Sequence, residues 1–245
     1  MKTFLIFTIS FLSATLSLSA KDTVPGNEND LQVNMDTTSV AGPSSAAMAD
    51  SISRYYIDKY MFSKAIPYLK YAISIYDSSS FAKQIADDKY LLGDLYCING
   101  QYHLTLSNTV EALDIYSKQN DTLNVLKCYN SLAQIYYICG ELKTSSYYLD
   151  LYEKGAKELS DTLMMIKLLN NKAVISSADG DSVLTADYIR ACLDLASVNG
   201  DEEVYVNIVT NLLPEALQVY PTDADIVVDL KERTCGGPGD RPYDG

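Results

Sequence analysis

The sequence predicts an all-α fold, an α-solenoid of stacked antiparallel helical hairpins. Three observations predict it. Gly100, Gly140 and Gly180 recur at a spacing of 40 residues, inside "YCINGQYHLT", "YYICGELKTS" and "SSADGDSVLT". Small residues line up in columns of the same period. No stretch sustains the two-residue alternation expected of a half-buried strand. A period of this size marks a repeat architecture, because one hairpin cannot cover its own apolar face.

Residues 1–20, "MKTFLIFTISFLSATLSLSA", have the pattern of an export signal. Lys2 gives a short positive start, Phe4 to Leu18 form the apolar stretch, and small residues end at Ala20. Cleavage is expected after Ser19 or Ala20, and no Cys stands there for lipid attachment. An uncleaved anchor is the other reading, since the apolar run approaches spanning length. Residues 21–43 are polar, carry two prolines and read as a flexible leader.

Helical patterning begins near Ser44. The period divides it into four repeats, about 45–80, 84–120, 122–160 and 162–200, with a final helix over 202–219 and a flexible tail over 221–245. Within each repeat, helix A precedes the glycine and helix B follows it. The glycine is expected to end helix A in a left-handed conformation. One small column runs through Ser53, Gly93, Ala133 and Ala173, and another through Ala65, Thr105, Ser145 and Thr185. Small residues at these places let paired helices approach closely, while Leu69, Leu149 and Ile189 fill the space beside them. Asp121, Asp161 and Asp201 form a column suited to capping helix starts. The first repeat departs from the pattern, with Tyr60 in the glycine column.

"LLGDLYCINGQY…EALDIY" at 91–116 resembles a tetratricopeptide repeat. Leu92, Gly93 and Tyr96 match its helix A, Gly100 its turn and Ala112 its helix B; "SLAQIYYICGEL" repeats the pattern and "NKAVISSADGDS" degenerates from it. The resemblance covers roughly 45–220 and is to the longer-helix variety of the repeat. It implies a protein- or peptide-binding scaffold whose A helices line an inner, concave face. By register, that face would carry Asp50, Arg54 and Ile57; Asp87, Tyr90 and Asp94; Lys127, Asn130, Gln134 and Tyr137; and Lys167, Asn170 and Val174.

One feature of that face stands apart from the resemblance. Lys127-x-x-Asn130 recurs as Lys167-x-x-Asn170. At i, i+3 each pair shares a helix face, and stacking would set the two pairs side by side. Lys ammonium groups with Asn amides could hold a carboxylate and a peptide backbone. Solvated polar positions on a groove wall are the plainer reading.

Chemistry of other kinds is poorly provided for. The net charge of −13 repels phosphate backbones, so nucleic acid is not an expected partner. His103 is the single histidine and reads as a solvated or half-buried ring at a helix start. The adjacent pairs Asp87–Asp88 and Glu202–Glu203 point about 100° apart on a helix, cannot form close dyads, and read as helix-start charges. No phosphate loop or dinucleotide fingerprint occurs, and no cofactor or metal is expected. Cys97, Cys128, Cys139, Cys192 and Cys235 form no C-x-x-C; the first four read as mostly core-facing thiols and Cys235 as the reactive one, a disulfide being the alternative.

No segment after the signal is expected to span a membrane, since Pro214 and Glu215 break the most apolar run, 204–220. The expectation is therefore an exported, non-enzymatic scaffold in the cell envelope or periplasm. Two alternatives stand beside it: the truncated sensory half of a signal-transduction regulator, and a surface glycan binder, which the 20 tyrosines permit and the lack of Trp weakens.

Overall fold

The structure, a computed structural model, describes residues 42–199 and residue 212. The signal, most of the leader, Asp201, the Glu202–Glu203 pair, the final helix apart from Leu212, and the tail with Cys235 lie outside the described residues. Among the described residues there are eight α-helices and no strand. They are α1 (Pro43–Asp58), α2 (Phe62–Ile75), α3 (Ala82–Ile98), α4 (Tyr102–Lys118), α5 (Thr122–Ile138), α6 (Leu142–Leu159), α7 (Thr162–Asp179) and α8 (Ser182–Asn199). Odd-numbered helices are the A type, and each pairs with the B helix that follows. Two compact units divide the chain, one ending at Ser131 and the other beginning at Leu132, with α5 contributing to both. No described helix is long and apolar enough to cross a membrane.

The turns explain the glycine period. Gly100, Gly140 and Gly180 have φ of 72°, 81° and 84°, a region where a Cβ is strained. At Gly140 the chain leaves α5 with the N–H of Glu141 donating to the Tyr136 carbonyl (2.8 Å) and that of Gly140 to Tyr137 (2.9 Å). This is a Schellman closure, and it satisfies carbonyls that the end of a helix would leave open. Asn120 and Ser160, at φ 56° and 53°, close the B helices the same way, so the left-handed turns fall at half the glycine spacing. Tyr60 takes φ 57° in the glycine column without being glycine. The connection from α2 to α3 is different: Asp77 accepts hydrogen bonds from Ser79 and Ser80, and Tyr76 stacks on Phe81 with ring centres 5.0 Å apart.

The starts of α5, α7 and α8 use carboxylates, whose oxygens take amides left free in the first turn. Asp161 Oδ1 accepts from the Met164 N–H at 2.9 Å, and Asp121 Oδ1 from Asn124 at 3.2 Å. Asp181 does the same for Leu184 at 3.0 Å, at a B helix where the column did not predict it.

The small columns are the contact lines within hairpins. Ser53, Ala133, Ala173, Ala65, Ser145 and Thr185 have no exposed surface, and Thr105 only 1%. Gly93 is in the same line, and a Cβ there would come within 3.0 Å of Thr109 Oγ1. Large residues close over these contacts. In the first unit Ile52, Ile57, Leu69, Leu91, Leu92 and Leu95 pack with Tyr56 and Tyr96. In the second, Ile166, Ala173, Ile189, Cys192 and Ala196 pack with Leu212. Each fully buried Leu or Ile contributes roughly 2 kcal/mol relative to exposure.

Three expectations change here. Ile57 is buried in the core of the first unit rather than presented on an inner face. Asp87 and Asp88 lie in the middle of α3, not at a helix start. Cys139 follows the last residue of α5 and is exposed, whereas Cys128 and Cys192 are buried.

Candidate functional site

The residues assigned to the A-helix face divide between the two units. In the first unit, α1 carries Arg54, α3 carries Tyr90 and Asp94, and the first part of α5 carries Lys127 and Asn130. In the second, the last part of α5 carries Gln134 and Tyr137, and α7 carries Lys167 and Asn170.

The first unit builds a connected polar surface. Lys127 is exposed, and its Nζ donates to Asn124 Oδ1 at 3.0 Å. Asn124 in turn donates Nδ2 to Asp121 Oδ2 at 2.8 Å. Asp121 also receives Lys83 Nζ at 3.3 Å, and the same Nζ reaches Asp87 Oδ1 at 3.3 Å. Asp87 is further held by the Tyr116 hydroxyl at 2.7 Å. Burial, then the bond to Asp87, drives the Tyr116 phenol well above its ordinary range, so it remains a donor. Tyr90 and Ser131 join α3 to α5 through their hydroxyls at 2.9 Å.

Asp94 is half-buried on α3, and desolvation pushes its carboxyl up to about 7, while the charge of Lys127 pulls it down. Arg54 is 3.1 Å through Nε from Asp50 on its own helix and 3.9 Å through Nη2 from Asp88 on α3. Burial weakens the Arg54 charge, but Asp50 and Asp88 outweigh it and hold the guanidinium above its ordinary value.

The asparagines differ from the solvated groups a groove wall would have. Asn130 and Asn170 are each only 4% exposed. Asn170 Nδ2 faces Asn171 Oδ1 at 3.4 Å, and its own Oδ1 is buried without a hydrogen-bond donor. Lys167, Gln134 and Tyr137 are half-buried, as is Tyr90. Val174 is buried at 8%. Sequence reasoning missed Lys83, Tyr116 and the approach of Arg54 to Asp88, because these contacts join different helices.

His103 is exposed at the start of α4. Among the described residues no group of His, Cys, Asp and Glu is placed to hold a metal ion.

An all-α array of stacked antiparallel hairpins, with left-handed turns and small residues at each crossing, defines the α-solenoid class. More narrowly, the chain has the fold of the tetratricopeptide-repeat proteins. It is similar to the crystal structure of a Rap protein complexed with Competence and Sporulation Factor, at 16% identity and a TM-score of 0.70, over 94% of this chain. The chain spans 64% of the length of that Rap protein. BtubC (BKLC) from P. vanneervenii is similar at 14% identity and a TM-score of 0.64, over 98% of this chain and 96% of that one. A Podosopora anserina putative kinesin light chain with nearly identical TPR-like repeats matches at 14% identity and a TM-score of 0.59, over 80% of this chain and 96% of that one. At such identities the likeness is one of fold. No family model matches the chain, and no curated protein does.

Proposed function

We propose that this chain is a non-enzymatic scaffold of the cell envelope that binds a protein or peptide along the face carried by its A helices. The observation that carries the reading is the tetratricopeptide-type fold, since a Rap protein of similar fold is complexed with a factor. The residues support it in part: Arg54, Tyr90, Asp94 and Lys127 in the first unit, and Gln134, Tyr137 and Lys167 in the second, put both charge signs and an amide on helix faces, while Asn130 and Asn170 are nearly covered. Lys127 and Lys167 suit a ligand carboxylate, and amides suit an extended backbone. Export rests on the apolar first twenty residues. The similarity to a Rap protein also supports a regulatory version, in which ligand binding at this face is a sensory event.

The test is capture from an envelope fraction with the protein lacking residues 1–20. Wild-type protein should retain a protein or peptide, and joint replacement of Lys127, Gln134 and Lys167, which leaves the covered Asn130 and Asn170 in place, should weaken retention without unfolding the chain. Equal retention by the folded variant rejects this face; retention of glycan alone rejects the scaffold reading.

A further inference from the structure

Asn124, in the first turn of α5, has its side-chain amide engaged from both sides. Its Nδ2 donates to Asp121 Oδ2 at 2.8 Å, and its Oδ1 accepts from Lys127 Nζ at 3.0 Å. An ionised carboxylate only accepts hydrogen bonds, and an ammonium only donates them. Between the two, the amide has one workable orientation, nitrogen toward Asp121 and oxygen toward Lys127. Turned over, it would set oxygen against carboxylate and N–H against ammonium.

Asp121 is itself pinned. Its Oδ1 accepts the Asn124 backbone N–H at 3.2 Å, and its Oδ2 lies 3.3 Å from Lys83 Nζ on α3. Burial alone would raise its carboxyl, but the bonds from Asn124 and then Lys83 outweigh burial and hold it below its ordinary value. The same Lys83 Nζ is 3.3 Å from Asp87 Oδ1, which takes the Tyr116 hydroxyl at 2.7 Å. It also sits 5.6 Å from the centre of the Tyr116 ring. Tyr116 is buried with Ala86, Ala112 and Cys128, so this run of contacts starts in the core and ends at an exposed lysine.

The following repeat separates the cap from the rest. Asp161 caps α7 as Asp121 caps α5, and Lys167 stands where Lys127 does. Met164, however, replaces Asn124, and Leu123 stands forty residues after Lys83. Neither side chain can relay a hydrogen bond from the cap to the lysine as the amide does. The two Lys-x-x-Asn pairs are therefore alike in sequence and unlike in what supports them.

We propose that Lys83, Asp121 and Asn124 are positioning residues for Lys127: α3, acting through Asp121, fixes the Asn124 amide, and the amide aims the Lys127 ammonium. One N–H of that ammonium goes to Asn124, and two can meet an incoming carboxylate. That use by a ligand rests on the scaffold reading above; the aiming itself does not. Since Lys83 belongs to the second hairpin, the repeat that presents Lys127 is set by the repeat before it. Exposed pairs of this kind are individually weak, so the expected effect falls on one side chain and not on global stability.

The experiment is timed acetylation of the folded chain with acetic anhydride, read lysine by lysine by peptide mass spectrometry. Lys167 serves as the internal reference for Lys127. Asn124→Leu and Asp121→Asn should each raise Lys127 labelling about two-fold relative to Lys167, the size expected of one hydrogen bond at an exposed site. Asp121→Asn keeps a good helix cap, so its effect reports the amide orientation and not the start of α5. Lys83→Met should act in the same direction, and Lys83→Arg, which can still bridge both carboxylates, should keep wild-type labelling. The wild type supplies a test that needs no variant to fold: by 15N NMR, the Asn124 Nδ2 protons should exchange more slowly than those of the exposed Asn120. A labelling ratio unchanged by Asn124→Leu and Asp121→Asn, a Lys83→Arg that behaves as Lys83→Met, or equal exchange at Asn124 and Asn120 overturns the proposal. No step needs a ligand, so this result is independent of the envelope capture.

Discussion

The hydroxyl of Ser145 on α6 donates to the backbone carbonyl of Ala133 on α5 across 2.6 Å, and both residues have no exposed surface. Two helices meet there with nothing larger than a hydroxymethyl and a methyl group between their backbones. The same crossing recurs as Gly93 with Thr105 and Thr109 in the second hairpin.

Replacing Ser145 therefore tests the contact line. Ser145→Leu must force the hairpin apart and should cost about 1–3 kcal/mol or more in urea unfolding. Ser145→Ala keeps the volume and loses one hydrogen bond, at roughly 1 kcal/mol. Equal costs for the two would mean that the helices do not depend on this approach.

The turns yield two changes of opposite sign. Gly140 has φ 81° with open space where a Cβ would go, so Gly140→Ala pays only for conformation and should destabilise by about 1–2 kcal/mol. Tyr60 holds φ 57° with 67% of its surface exposed. Tyr60→Gly relieves that strain and should raise the melting temperature slightly, the flexibility of an unfolded glycine offsetting part of the gain. A lowered melting temperature would show that the ring contact of Tyr60 with Phe62, at 6.1 Å, outweighs the backbone term.

Thiol chemistry should separate the cysteines. Cys139 is exposed, whereas burial pushes the Cys128 and Cys192 thiols up to about 12. Brief alkylation of the folded protein at pH 8 should modify Cys139 well ahead of those two. Peptide mapping by mass spectrometry reads the order, and early labelling of Cys128 would contradict its burial.

Asp94 gives a pH dependence within the first unit. Burial holds its carboxyl at about 7, against an ordinary value of 3.8, and Lys127 pulls the other way. From about pH 4 to 7 the folded state keeps a proton that the unfolded state has lost, so this group's contribution to stability falls as pH rises through that window. Lys127→Gln removes the opposing charge and should move the Asp94 titration higher still, as carboxyl 13C NMR would record. A downward move would mean that Lys127 acts on Asp94 by excluding water rather than by charge.

The architecture was legible from particular residues. The glycines at 100, 140 and 180 mark the left-handed ends of A helices, and the small columns mark where B helices cross them. The B-helix turns were not legible, because Asn120 and Ser160 adopt the same conformation without the residue that signals it. The register of the A helices was legible, but which of its positions are covered was not. Asn130 and Asn170 read as accessible amides and prove nearly covered, and Ile57 reads as a face residue and belongs to the core.

What the sequence determined alone is the repeating part: which residues turn, which are small and which helices pair. Those constraints act through a few bonds or one helical turn, so they recur with the chain's own period. The tertiary structure alone decided which charges meet. Asp88 reads as unable to pair with Asp87, its neighbour, and the group that meets it is Arg54 on another helix, 3.9 Å away. That contact depends on how α1 packs on α3 around Ile52, Ile57 and Leu95, and burial there pushes the Asp88 carboxyl up to about 8.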